Sequence, residues 1–90
     1  MKFKEVIITS NAWSDIFNLA KTDLKLVKKV LELVESIKIN PYEGIGKPEL
    51  LKENLKGYWC RRINDEHRLV YRIEENNLYI VQAKGHYLDK

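Results

Sequence analysis

The sequence predicts an α+β domain: two N-terminal helices packed on one face of a small, twisted, mostly antiparallel β-sheet. Three observations carry this. The first half holds two apolar stripes at helical spacing, the second half alternates with the period of strands, and the connections between elements are short. Residues 1–90 read as a single domain. A chain of that size buries roughly 60–70% of its unfolded surface, enough for one modest core.

The elements follow in order. Lys2 to Thr9 reads as a first strand. Ser10 or Asn11 can cap a helix in which Trp13, Ile16, Phe17 and Ala20 fall at i, i+3, i+4 and i+7. Thr22-Asp23 marks the next start, and Val27, Val30, Leu31, Val34 and Ile37 form a second stripe. Asn40-Pro41 ends that helix, because proline removes an amide donor and clashes with the preceding turn. A loop bearing Gly44 and Gly46 follows, its glycines allowing the chain to turn sharply and approach the sheet. A short helical turn is expected near Leu50-Leu51, then a hairpin, then a last strand over Leu78–Lys84 after the Glu75-Asn76-Asn77 turn.

The hairpin runs from Gly57 to Arg72 and contains four arginines, Arg61, Arg62, Arg68 and Arg72. Trp59 and Ile63 make the apolar face of its first strand, and Leu69, Tyr71 and Ile73 that of its second. Both sets share one core only if odd positions pair with odd positions, across a three-residue loop at Asn64-Asp65-Glu66. The same register sets Arg62 and Arg68 side by side on the opposite, uncovered face. Guanidinium groups are permanently charged and grip phosphate with two parallel hydrogen bonds. His67 alternates onto the core side and reads as a turn or packing histidine. Cys60 reads as a small packing residue.

Composition narrows the function classes. Apolar residues make up 44% of the chain, which excludes a disordered segment. No apolar run approaches the ~20 residues of a membrane-spanning helix. One cysteine cannot form an internal disulfide, so a reducing cytoplasm is the expected location. A single cysteine and two well-separated histidines offer no metal cluster, and no cofactor is expected. Gly44-Ile45-Gly46-Lys47-Pro48 lacks the Gly-Lys-Ser/Thr ending of a nucleotide-binding loop. The net charge of +3 is mild and points to a polyanionic partner only where the positive charge is clustered.

Three blocks in this order are specific in combination: Pro-x-Glu-Gly-x-Gly-Lys-Pro-Glu over 41–49, Trp-x-Arg-Arg-Ile followed by Glu-His-Arg-Leu-Val-Tyr over 59–71, and the closing His86-Tyr87. Together they resemble the YoeB branch of the RelE-like bacterial toxins, ribosome-dependent mRNA endonucleases with a small RNase fold. The resemblance spans nearly the whole chain. It implies Glu49 as general base, His86 as general acid and Arg68 as the clamp on the transition state. Arg62 and Lys52 become supporting phosphate contacts, and Tyr87 a residue to stack on a base or order the terminus. RNA carries its own nucleophile, the 2′-hydroxyl, so cleavage needs a base, an acid and cations, and no metal. The implied partners are a YefM-type antitoxin, the ribosome with mRNA in its A site, and operator DNA through the antitoxin complex alone. A homodimer is compatible with the family. Two other classes stand beside this one: a related toxin acting on a non-ribosomal target such as a topoisomerase, and a non-catalytic nucleic-acid-binding module. One departure from the family is that Leu88-Asp89-Lys90 follow the His-Tyr pair.

Overall fold

A computed structural model describes residues 2–85. Its elements are β1 (Glu5–Ile8), α1 (Ser10–Thr22), α2 (Leu24–Ile39), β2 (Glu49–Leu50), a 3-10 turn (Glu53–Leu55), β3 (Trp59–Arg62), β4 (Arg68–Glu74) and β5 (Asn77–Gln82). The five strands form one sheet in the order β1-β5-β4-β3-β2. β1 runs parallel to β5 and the other pairs are antiparallel. The two helices lie against one face of this mixed sheet, as expected from the sequence.

Strand parity sets what each face does. Leu69 and Tyr71 of β4 and Leu78 and Ile80 of β5 are buried with Val30, Leu33 and Ile37 of α2 and Leu19 of α1. The hairpin register is the expected one: Trp59 faces Tyr71, Arg61 faces Leu69 and Arg62 faces Arg68. The Ile63 amide bonds the His67 carbonyl at 3.0 Å, which closes the three-residue loop. Asn64 shapes that loop, its side-chain oxygen accepting from the Glu66 and His67 amides at 2.9 and 2.7 Å.

Several local expectations are corrected. The first helix is capped by Thr9, whose hydroxyl accepts from the Ala12 amide. Its apolar stripe is wider than the sector that meets the sheet, so Ala12 and Leu19 are buried while Trp13 and Phe17 stay 64% and 59% exposed. Leu31 of α2 is likewise exposed. Glu49-Leu50 is a short strand, pairing with Cys60 and Trp59, and the helical turn comes three residues later. The sheet face away from the helices is also partly covered. Leu51, Leu55 and Tyr58 fold over Cys60, Val70 and Val81 in a second small cluster, because these apolar side chains project from that face.

The connection between α2 and β2 is organised by a side chain that strand parity places among apolar residues. Arg61 is fully buried. Its Nε donates to the Tyr71 hydroxyl at 3.2 Å. Nη1 donates to Ser36 Oγ at 2.7 Å and the Ile45 carbonyl at 3.1 Å. Nη2 donates to the carbonyls of Asn40 at 2.7 Å and Glu43 at 3.1 Å. All five guanidinium N–H groups are therefore used. Tyr71 passes its own proton on to the Pro41 carbonyl at 2.6 Å. Burial pushes the Tyr71 phenol above its usual range, which suits a hydroxyl that must donate. A Cβ on Gly44 would lie 2.4 Å from Ser36 Oγ and 2.9 Å from Arg61 Nη1, and Gly44 and Gly46 both have positive φ. The glycines are needed because the loop wraps this closely around Arg61.

Arg61→Lys keeps the charge but offers three donors to five acceptors. At about 1–3 kcal/mol for each of the two acceptors left without a donor, it should lower stability by about 2–6 kcal/mol, measured as a shift in the urea midpoint. A loss within about 0.5 kcal/mol, the size of an ordinary surface substitution, would contradict the burial of this group.

Candidate functional site: the arginine-bearing face of the sheet

The site is assembled by backbone pairing. The Arg62 amide donates to the Gly46 carbonyl at 2.7 Å, so the Arg61-bound loop is also stitched to β3. From that fixed point the chain passes Lys47, which has φ of +53°, and Pro48. It then enters β2, where Glu49 faces Cys60 across the ladder. Residues directly opposite one another share a face, so Glu49, Cys60, Arg62 and Arg68 lie together. The electrostatics of the Cys60 thiol report the same grouping. Burial pushes its pKa up, Glu49 pushes it further, and Arg68 and Arg62 pull it down.

The side chains differ in how they are held. Cys60 is buried in the floor, and Arg62 is exposed above it. The Arg68 guanidinium crowns the hairpin loop, its Nη1 donating to the carbonyls of Asn64 (2.7 Å), His67 (3.2 Å) and Asp65 (3.3 Å). Glu49 and Lys52 both line a surface pocket of about 350 Å³ formed by residues 49–55. The fourth arginine, Arg72, pairs with Glu74 and stacks over the Tyr79 ring with its guanidinium carbon 4.2 Å from the centroid.

Of the residues singled out in the sequence, the structure thus brings Glu49, Arg62 and Arg68 to one face, with Lys52 beside Glu49 in the 49–55 pocket. His86 and Tyr87 lie outside the described residues. The described chain leads to the site nonetheless: the Gly85 carbonyl accepts from the Arg68 amide at 3.0 Å. Sequence reasoning missed two contributors. Arg61 was detectable from parity alone, since an odd position among Trp59, Ile63 and Leu69 must point at the core. The bond between His67 and Gly85, described below, joins residues 18 apart and has no local signal.

A sheet face carrying a carboxylate and two arginines that form no ion pair among the described residues offers cations to hold a phosphodiester and a group able to take a proton from a nearby hydroxyl. Known proteins resemble the whole assembly. The model of the YoeB-like toxins of bacterial type II toxin–antitoxin systems matches residues 8–87. Toxin YoeB of Streptomyces coelicolor is 46% identical over 82 residues, 91% of this chain and 98% of that protein. The structure of a YoeB dimer from Staphylococcus aureus superposes with a TM-score of 0.85 at 45% identity, covering 97% of this chain and all of the other. A heterotetrameric YoeB–YefM toxin–antitoxin complex from the same organism gives 0.82 over the same share of both chains, also at 45% identity. The family model and these relatives therefore define a small toxin of a bacterial toxin–antitoxin system. Within that class the chain belongs to the YoeB-like toxins of type II toxin–antitoxin systems.

Because burial and Glu49 keep Cys60 in the neutral thiol form, the group should be inert to disulfide reagents at pH 7. Titration with a chromogenic disulfide should find no fast-reacting thiol in the folded toxin and one in denaturant. Rapid reaction in the native state would mean that the 51–58 segment does not cover the face.

Proposed function

We propose that this toxin is a ribosome-dependent endonuclease that cuts translated mRNA by metal-independent acid–base chemistry. The observation that carries this reading is the enforced grouping of Glu49, Arg62 and Arg68 on one rigid face, with the chain leading to His86 bonded to Arg68. Glu49 takes the proton of a ribose 2′-hydroxyl as that oxygen attacks the adjacent phosphorus. His86 gives a proton to the departing 5′-oxygen. The products are a 2′,3′-cyclic phosphate and a 5′-hydroxyl, and the two protonation states are restored by proton exchange with water. Arg68, assisted by Arg62 and Lys52, takes up the negative charge that grows on the phosphorane oxygens. Arg68 would leave the hairpin carbonyls for the phosphate, exchanging neutral acceptors for a charged one. Tyr87 stacks on a base or orders the terminus.

The same basic face suits an acidic antitoxin segment that orders on binding, and a YefM-type protein is the proposed partner, by analogy with the Staphylococcus aureus complex. Operator DNA would be bound through the antitoxin, and a homodimer is in keeping with the Staphylococcus aureus relative. The cytoplasm, where translating ribosomes are, is the proposed location.

Primer extension on mRNA translated with and without the toxin tests the activity. Wild type should give ribosome-dependent stops. Glu49→Ala, Arg68→Ala and His86→Ala should each reduce cleavage by roughly 10²–10⁴-fold while antitoxin binding persists. Arg68→Lys should recover part of the loss, since an ammonium keeps the charge without the planar fork. Intact mRNA under wild-type toxin would overturn the endonuclease assignment.

A further inference from the structure

The last described residues are held by a set of bonds that packing alone does not require. Near the end of β5 the register with β4 shifts: Tyr71 faces Ile80, but Val70 faces Gln82, leaving Val81 as an extra residue. The shift reverses strand parity, so the residue buried after Leu78 and Ile80 is Ala83. The Val81 carbonyl accepts from Asn11 Nδ2 at 2.9 Å. The Ala83 amide donates to Asp15 Oδ2 at 3.0 Å. Two residues later the Gly85 amide donates to Nδ1 of His67 at 2.9 Å, while its carbonyl accepts from the Arg68 amide.

A backbone N–H can only donate, so His67 Nδ1 must be the unprotonated nitrogen and the ring proton sits on Nε2. Nε2 is 3.8 Å from the nearest Glu66 oxygen, beyond hydrogen-bond reach. The ring is buried, and its bond to Gly85 crosses from the hairpin loop to the far end of the chain. Both polar backbone atoms of Gly85 are thus bonded to two consecutive residues. Two contacts fix direction as well as place. Gly85 has φ of +74°, a conformation that a side chain there would strain. His86 is the next residue in the sequence.

We propose that His67 is a positioning residue of the toxin, whose Nδ1, together with the Arg68 amide, anchors Gly85 so that the C-terminal residues start from a fixed point beside Arg68. The inference rests on the role proposed above for His86. It gives the buried histidine a task that an apolar side chain of similar size could not perform. His67 and Arg68 then act as a pair: one side chain orients the segment that brings the acid, and the next meets the phosphate.

The test uses the full-length toxin carrying His67→Ala, His67→Asn or His67→Gln. An asparagine oxygen occupies nearly the place of Nδ1, whereas a glutamine oxygen reaches the place of Nε2. With wild type active in the primer-extension assay, His67→Ala should slow single-turnover cleavage at saturating ribosomes roughly ten- to hundredfold, less than His86→Ala, with little change in KM. His67→Asn should regain most of the rate and His67→Gln should not. Hydrogen exchange of the Gly85 amide should be slow in wild type and His67→Asn and fast in His67→Ala. Wild-type cleavage by His67→Ala, or an equal loss in Asn and Gln variants that remain folded, overturns the positioning role alone. A fast-exchanging Gly85 amide in wild type overturns the anchor itself. A wild-type toxin that leaves translated mRNA intact overturns the endonuclease reading and the inference with it.

Discussion

The buried guanidinium of Arg61 is the constraint on which the site depends. Its hydrogen-bond acceptors are neutral: two side-chain oxygens and three backbone carbonyls. Desolvating a cation without a counter-ion costs several kcal/mol, so every donor must be used, and every one is. The carbonyls gain equally. Those of Asn40, Glu43 and Ile45 converge on the interior, where an apolar side chain at position 61 would leave them without donors. The arginine and its loop therefore specify each other. α2, through Ser36, and β4, through Tyr71, are drawn into the same arrangement, and Glu49 is placed only a few residues downstream.

Adjacent arginines on β3 show how cheaply one strand can serve both purposes. Arg61 and Arg62 are neighbours, but the pleat sends them to opposite faces, one to be neutralised by the fold and the other exposed. A one-residue slip would exchange them, burying Arg62 among carbonyls that do not fit it and exposing Trp59 and Ile63. Such a slip is opposed by the whole core, which is why the relative positions of the site residues are so tightly specified. Among the described strands, parity is reversed at the Val81 bulge. It hands the end of β5 from the sheet to side chains of α1 and the hairpin loop.

Much of this was legible in the sequence. The helices, the hairpin register, the three-residue loop and the shared face of Arg62 and Arg68 follow from apolar spacing, which reports burial directly. What escaped depends on partners distant in the chain. The stripe on α1 gave its angular width but not the sector that meets the sheet, so Trp13 and Phe17 were expected inside and lie outside. The Glu49-Leu50 strand is only two residues long and exists because β3 offers an edge. No local propensity encodes that. The coverage of Cys60 and Val70 could have been foreseen, because two apolar residues at even positions of a nominally open face need a cover. The burial of His67 was readable from parity, whereas its partner at Gly85 was not.

Arg62 facing Arg68 directly across the ladder breaks a rule that the rest of the sheet obeys. Like charges at opposed positions cost up to about 1 kcal/mol, a small fraction of a domain's stability. Arg72, on the same face, pairs with Glu74, so the chain is able to supply a counter-charge where one is wanted. Between Arg62 and Arg68 it supplies none among the described residues. A phosphate or an acidic segment set between them would relieve that repulsion and gain charge-assisted contacts. An anion corrects this mismatch, so the two proposed occupants, an RNA phosphate and an acidic antitoxin segment, would compete for the same face of the sheet.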